Sequence, residues 1–229
     1  KTNKIVAFEA LARMSSEKLG FVSPVEFISI AERKQLIVDL GDWVLRTACQ
    51  FAHKLSSAGY DNLRVAVNIS VTEILQQDSF EKIRRIVEDS GVTPASLELE
   101  ITESVIMYDF EEVNSTFQRL RELGVKIALD DFGTGYSSFA RIEELIVDVI
   151  KIDKHFVDKI AYKGQSNSIL NGLLAMSHNL GLQVVAEGVE TEAQRHYLAN
   201  HNCDMMQGYL YSKPLREDLA MQKLTASDL

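Results

Sequence analysis

The sequence predicts an α/β fold, a TIM-like (β/α)8 barrel lacking its first strand, and three observations lead there. Seven short, nearly continuous apolar runs recur along the 229 residues, as expected of strands buried on both faces of a parallel sheet. Longer segments with apolar residues three and four apart separate them, the pattern of crossover helices. Polar residues interrupt the apolar runs at or near their C-terminal ends, which in a parallel barrel converge on the rim that carries active sites.

In chain order, strands are expected at 5–12, 63–70, 96–102, 125–132, 147–153, 182–188 and 203–209. Between the first two, Val44, Leu45, Ala48, Phe51, Ala52 and Leu55 mark a helix face that stops at Gly59. A second helix is expected over 78–90. In the third, Phe110, Val113, Phe117, Leu120 and Leu123 repeat at helical spacing until Gly124 ends it. A fourth spans 165–180 before Gly181. A closed barrel of this type commonly uses eight strands. Too few residues precede Ile5 to form another, so the first strand is expected upstream and the sheet should be open between its first and last strands. With only three prolines (Pro24, Pro94, Pro214) and no Ser/Gly tract, residues 1–229 read as one domain, N-terminally incomplete.

The net charge of −9 weighs against a DNA or RNA duplex as partner, because duplex binding usually needs a basic face. It leaves room for an anionic ligand held through bound cations, which invert the local charge logic. Cys49 and Cys203 cannot form a disulfide framework and read as reduced thiols of a cytoplasmic compartment. No apolar run approaches the roughly 20 residues needed to span a bilayer.

The polar residues at the strand ends are Glu9, Asn68, Glu98 with Glu100 and Glu103, Asp130 with Asp131, Lys151 with Asp153, Glu187 with Glu190, and Gln207. Burying isolated carboxylates would cost several kcal/mol each unless they are paired or bound to metal. An oxygen-rich set without His or Cys suits Mg²⁺ or Mn²⁺. Strand neighbours normally face opposite ways, but the chain turns into Gly133 just after Asp130 and Asp131, so both can face the rim. One aspartate can then bridge two ions while the other binds the second, an arrangement suited to in-line phosphoryl displacement. Lys151 leaves two chemistries open. It can orient or deprotonate a water, or hold phosphate charge, beside the cations; alternatively it can form a Schiff base. The carboxylates around it favour the first, since a Schiff-base amine must be uncharged. The loop 133–138 is a lone GxG without the ending of a phosphate-binding Walker loop. The histidines (His53, His155, His178, His196, His201) form no metal-binding pattern and read as solvated helix positions.

Seven ordered motifs carry a family resemblance: Glu9-Ala-Leu11 followed by Arg13; Val67-Asn-Ile-Ser70; Leu99-Glu-Ile-Thr-Glu-Ser104; the Asp130–Ser138 stretch; Lys151-Ile-Asp153; Ala186-Glu-Gly-Val-Glu-Thr191; and Gln207-Gly-Tyr209. Together they resemble the EAL domain family, bacterial phosphodiesterases that linearise cyclic di-GMP to pGpG. The resemblance implies two Mg²⁺ or Mn²⁺ ions. Glu9, Asn68, Glu100 and Asp130 would hold one, and Asp130, Asp131 and Glu187 the second. It implies that Lys151 contacts the water or the phosphate, that Gln207 helps position the water, and that Arg13 grips a phosphate with Leu11 and Pro214 near the guanines. Glu103 would anchor the loop after Asp131, and Glu190 would support the site from behind. The same loop would form a homodimer contact, and an upstream sensor or GGDEF domain would precede the chain, which has no membrane segment of its own. Met14, Ser29 and Phe139 depart from the family's usual aromatic, proline and leucine; none removes a ligand. A non-catalytic cyclic di-GMP receptor is the alternative reading, and a Schiff-base lyase a third.

Overall fold

The computed structural model describes residues 4–133, 135, 139–161 and 167–227. The strands are β1 (Ala7–Ala10), β2 (Met14–Ser16), β3 (Gly20–Val22), β4 (Arg64–Asn68), β5 (Leu97–Thr102), β6 (Lys126–Phe132), β7 (Val149–Ile152), β8 (Gln183–Ala186) and β9 (Met205–Met206). Seven of them form one parallel sheet in the order β1-β4-β5-β6-β7-β8-β9. All seven expected strands are present. The sheet curls far enough for Gln207, just beyond β9, to donate from Nε2 to Glu9 Oε2 of β1 at 2.6 Å. Yet β1 and β9 do not pair among the described residues, so the sheet is a TIM-like barrel open at one seam, as expected.

The expected helices appear as α2 (Ile37–Ser57), α4 (Ser79–Ser90), α5 (Phe110–Leu123) and α8 (Ser168–Asn179). Residues 165 and 166 of the last expectation lie outside the described residues. Asp109 accepts a hydrogen bond from the Glu112 amide at 3.2 Å to start α5, and Gly124, at φ +104°, ends it. The short elements α1 (Pro24–Arg33), α3 (Val71–Ile74), α6 (Phe139–Glu144), α7 (Lys154–Asp158), α9 (Glu192–Asn200) and α10 (Glu217–Ser227) complete the set. The antiparallel β2–β3 hairpin has no counterpart in the sequence reading. Each of its strands has three residues, and of these only Val22 is buried: Met14 and Phe21 remain exposed and Gly20 turns at φ +67°.

The two-residue period of each strand sorts its side chains into two populations. Val65, Val67, Leu97, Leu99, Ile101, Ile127, Leu129, Ile150, Ile152 and Val184 face outward into the main core against the helices. Full burial of such a side chain contributes roughly 1.5–3 kcal/mol. Inward, Ala128, Val149, Val185 and Met205 form a small apolar plug. Below it Arg64 Nε meets Glu98 Oε2 at 3.1 Å, and Lys126 donates to Gln183 at 3.1 Å. This corrects one expectation. Glu98 is not a rim residue: it lies two residues before Glu100 on the same face of β5, one layer deeper, and its charge is matched by Arg64.

Candidate functional site

Above the plug, the same inward alternation delivers Glu9, Asn68, Glu100, Asp130, Lys151, Glu187 and Gln207 to the strand ends. Asn68, Glu100, Asp130, Lys151, Glu187 and Gln207 each stand two residues beyond another inward-facing position of the same strand: Ala66, Glu98, Ala128, Val149, Val185 and Met205. At the centre is Lys151, buried to 1% exposure. Its Nζ lies 2.8 Å from Glu100 Oε1, 2.8 Å from Glu187 Oε1, 3.3 Å from Asp130 Oδ1 and 3.9 Å from Glu9 Oε2. Glu9 in turn accepts from Asn68 Nδ2 at 2.8 Å and from Gln207 Nε2 at 2.6 Å. Residues up to 198 positions apart therefore meet in one polar cluster.

Asp131 joins the cluster through its backbone. The register slips between Leu129 and Phe132, and Asp131 sits at φ +56°. Such a left-handed residue inside a bulge turns its side chain to the face that strict alternation would deny it. Ligand oxygens of Asp130, Asp131 and Glu187 consequently all lie within 4.8 Å of one another. The reorientation arises at Asp131 itself rather than only in the turn at Gly133.

Burial governs the protonation of these groups. It raises Glu100 well above the usual carboxylate range, with Lys151 opposing and Glu9 and Asp130 adding to the rise. Burial also lifts Glu187 to about 7 against the pull of Lys151, and Asp131 is raised by burial and by Asp130 and Asp153. For Lys151 burial acts downward, but Glu100, Glu9, Glu187 and Asp130 reverse it and hold the ammonium well above the ordinary lysine value. A lysine so held does not supply the free amine that a Schiff base needs, nor act as a base toward water.

These groups fit a divalent cation. Glu100 Oε2 is buried and accepts no hydrogen bond, a costly state that a cation would relieve. All the donors are oxygens, which suits Mg²⁺ or Mn²⁺. The raised carboxyls also set a pH dependence. Glu187 releases its proton near 4.5 when unfolded and near 7 when folded, so the folded state binds more protons between those values. Stability of metal-free protein is therefore expected to fall as pH rises from about 5 to 7.5. Thermal melts in chelator read this directly, and a melting temperature that climbs across the window would contradict it.

The surroundings assign further roles. Glu103, buried beside β5, accepts the Gly133 and Gly135 amides at 2.9 and 3.1 Å through Oε2 and so anchors the chain leaving Asp131. Positions 134 and 136–138 of that loop lie outside the described residues. Glu190 meets Lys154 at 2.8 Å, away from the carboxylate cluster. Asp153 caps α7 by accepting the His155 amide at 2.9 Å. Leu11, Arg13 and Pro214 are exposed, and among the described residues Arg13 donates to the neighbouring Ala12 carbonyl at 2.9 Å, which leaves most of its guanidinium open. Cys49 and Cys203 are buried and form no disulfide with each other. Each histidine sits on a helix or its cap, outside the cluster.

Some supporting residues escape sequence reasoning. Gln194 is 3% exposed, accepts from the Glu190 and Thr191 amides at 2.8 and 2.9 Å and donates to Val157, tying the turn after Glu187 to α7. Its signal was the Thr191-x-x-Gln194 capping spacing. Glu73 belongs to a similar box after Asn68.

Comparison with known proteins adds independent findings. The EAL domain family matches residues 1–214. The chain is 41% identical over 207 residues to the cyclic di-GMP phosphodiesterase NbdA of Pseudomonas aeruginosa, covering 90% of this chain and 26% of that protein. It is 34% identical over 211 residues to the bifunctional diguanylate cyclase/cyclic di-GMP phosphodiesterase MucR of the same organism, covering 92% and 31%. A solved PaMucR phosphodiesterase in complex with c-di-GMP superposes with a TM-score of 0.90 at 33% identity, covering 96% of this chain and 89% of that one. The chain spans about a quarter of the length of the first curated relatives it matches. No helix among the described residues is long and apolar enough to cross a membrane.

Proposed function

Given that this chain belongs to the EAL domain family, we propose that it is a metal-dependent phosphodiesterase that hydrolyses cyclic di-GMP to linear pGpG. The observation that carries the reading is the convergence of Asp130, Asp131 and Glu187 oxygens within 4.8 Å of one another, beside a charged Lys151. Similarity to proteins named cyclic di-GMP phosphodiesterases supports the substrate.

Glu9, Asn68, Glu100 and Asp130 would hold one Mg²⁺ or Mn²⁺, and Asp130, Asp131 and Glu187 a second. Two bound cations supply positive charge that activates a water and steadies the attacking and leaving oxygens of an in-line displacement. The chain's own residues do the rest. Lys151, kept as an ammonium by its carboxylate neighbours, stabilises negative charge growing on the phosphate and orients the attacking water. Gln207, hydrogen-bonded to Glu9, holds the water's surroundings in place. Glu103 fixes the backbone after Asp131, and so the direction of that carboxylate. Arg13 grips a substrate phosphate, and Leu11 and Pro214 border the guanines.

Arg13→Ala removes a phosphate contact made equally in ground and transition states. The expected result is a KM raised roughly tenfold or more with kcat little changed. Steady-state kinetics separate the two, and a loss confined to kcat would refute the role.

The chain is further read as a single domain whose first strand lies upstream, preceded in the full polypeptide by a sensor or GGDEF domain. It would be cytoplasmic and pair as a homodimer through the loop after Asp131. Incubating purified protein with cyclic di-GMP and Mn²⁺, with and without chelator, tests the function. Chelator-sensitive appearance of pGpG supports hydrolysis. Tight nucleotide binding with no product after prolonged incubation would make the domain a receptor instead.

A further inference from the structure

Asn68 is the one amide among the residues proposed to hold a cation, and the chain beyond it is fixed by an arrangement outside the cluster. After β4, the Ile69 amide still donates to the Glu100 carbonyl at 2.9 Å, and Ser70 then caps α3. The cap is reciprocal. Ser70 Oγ accepts the Glu73 amide at 3.2 Å, and Glu73 Oε2 accepts the Ser70 amide at 2.9 Å. The other oxygen of the Glu73 carboxylate rests against the backbone of α2 at Gly41. A Cβ at that position would overlap Glu73 Oε1 and crowd its Cδ and Oε2. A glycine inside a helix costs about 0.5–1 kcal/mol relative to alanine, so its presence in α2 calls for a physical reason, and the seat for Glu73 supplies one. Asn68, Glu73, Gly41, Asp42 and Lys82 all line one narrow cleft of about 20 Å³, in which the Asp42–Lys82 pair at 2.8 Å closes the outer side.

We propose that Gly41 and Glu73 form a positioning pair that sets Asn68 at the rim: α2 seats the Glu73 carboxylate, the carboxylate clamps the Ser70 amide, and the clamp fixes the chain two residues after Asn68, where β4 ends. The inference rests on the cation-binding reading of the rim and deepens it, because it names what holds the neutral ligand in place. A methyl at position 41 would overlap the Glu73 carboxylate, which must then swing away from the seat where it accepts the Ser70 amide. Glu73→Gln keeps an oxygen acceptor for that amide, and glutamine serves in capping boxes as glutamate does.

The test measures Mn²⁺ affinity by titration of the intact chain at a temperature where every variant is folded. Gly41→Ala and Glu73→Ala should weaken Mn²⁺ binding by about tenfold or more, the usual effect of removing a group that orients a metal ligand. Glu73→Gln should stay within about twofold of the parent protein by the same argument. Leu224→Ala, which empties a buried site on α10 far along the chain, serves as the merely destabilised control and should bind as the parent does. Wild-type affinity in Gly41→Ala and Glu73→Ala, with only a lowered melting temperature, would overturn the proposal. The side-chain amide resonances of Asn68, followed without metal, separate the two layers of inference. They should shift in Gly41→Ala and not in Glu73→Gln. If the parent protein binds no Mn²⁺ and these resonances still move so, the cation reading falls while the lock stands; if they do not move, the lock falls.

Discussion

Asp131→Asn should leave the protein folded and abolish hydrolysis. The substitution is nearly isosteric, and asparagine tolerates the left-handed conformation at φ +56° as well as aspartate does. It also removes a carboxylate whose ionisation is opposed by burial and by Asp130 and Asp153. The melting temperature of metal-free protein should therefore stay level or rise slightly. Activity should fall by about a thousandfold or more, because losing an anionic ligand forfeits several kcal/mol of transition-state charge stabilisation. Mn²⁺ binding should weaken in the same variant. Undiminished production of pGpG would remove Asp131 from the site and, with it, the bulge as a functional device.

Lys151→Met should have the largest effect on stability. Methionine fills a similar volume but leaves Glu100, Glu187, Asp130 and Glu9 around a position that has lost its cation. Breaking a buried ion pair from one side typically costs 3–5 kcal/mol, and a loss of about that size is expected here in urea unfolding with chelator at neutral pH. The sign of its pH dependence is fixed by the carboxyls. They take up protons as pH falls from about 7 toward 5, and the repulsion that Lys151 had been offsetting fades, so the penalty should shrink in acid. Saturating Mg²⁺ should restore part of the stability by returning positive charge to the cluster, without restoring hydrolysis. A pH-independent loss, unaffected by Mg²⁺, would mean that Lys151 acts by packing alone.

Much of this site could be read along the chain because strand geometry is local. An inward-facing residue recurs every second position, so Glu9, Asn68, Glu100, Asp130, Lys151 and Glu187 each announce themselves as a polar side chain closing an apolar run. The helix stop at Gly124 is local in the same way, and so is the Thr191–Gln194 box, although the sequence reading passed over it. Glu98 shows where that reading breaks down. Its residue type and strand match those of Glu100, but only the register of β5 against β4 places it beside Arg64, below the apolar plug. The β2–β3 hairpin was invisible because it buries almost nothing, and the seat of Glu73 on Gly41 because the two residues belong to different elements.

The amino-acid order by itself therefore determined the succession of the seven sheet strands and four of the helices between them, the open seam between β1 and β9, and, Glu98 apart, the polar side chains that reach the rim. Tertiary structure alone decided how close they come: Glu9 against Gln207, four carboxylates around Lys151, and Asp131 turned beside Asp130. Side-chain direction within a strand follows from a two-residue repeat. Distance between strands far apart in the chain depends on how tightly the sheet curls and where one backbone angle breaks its regularity.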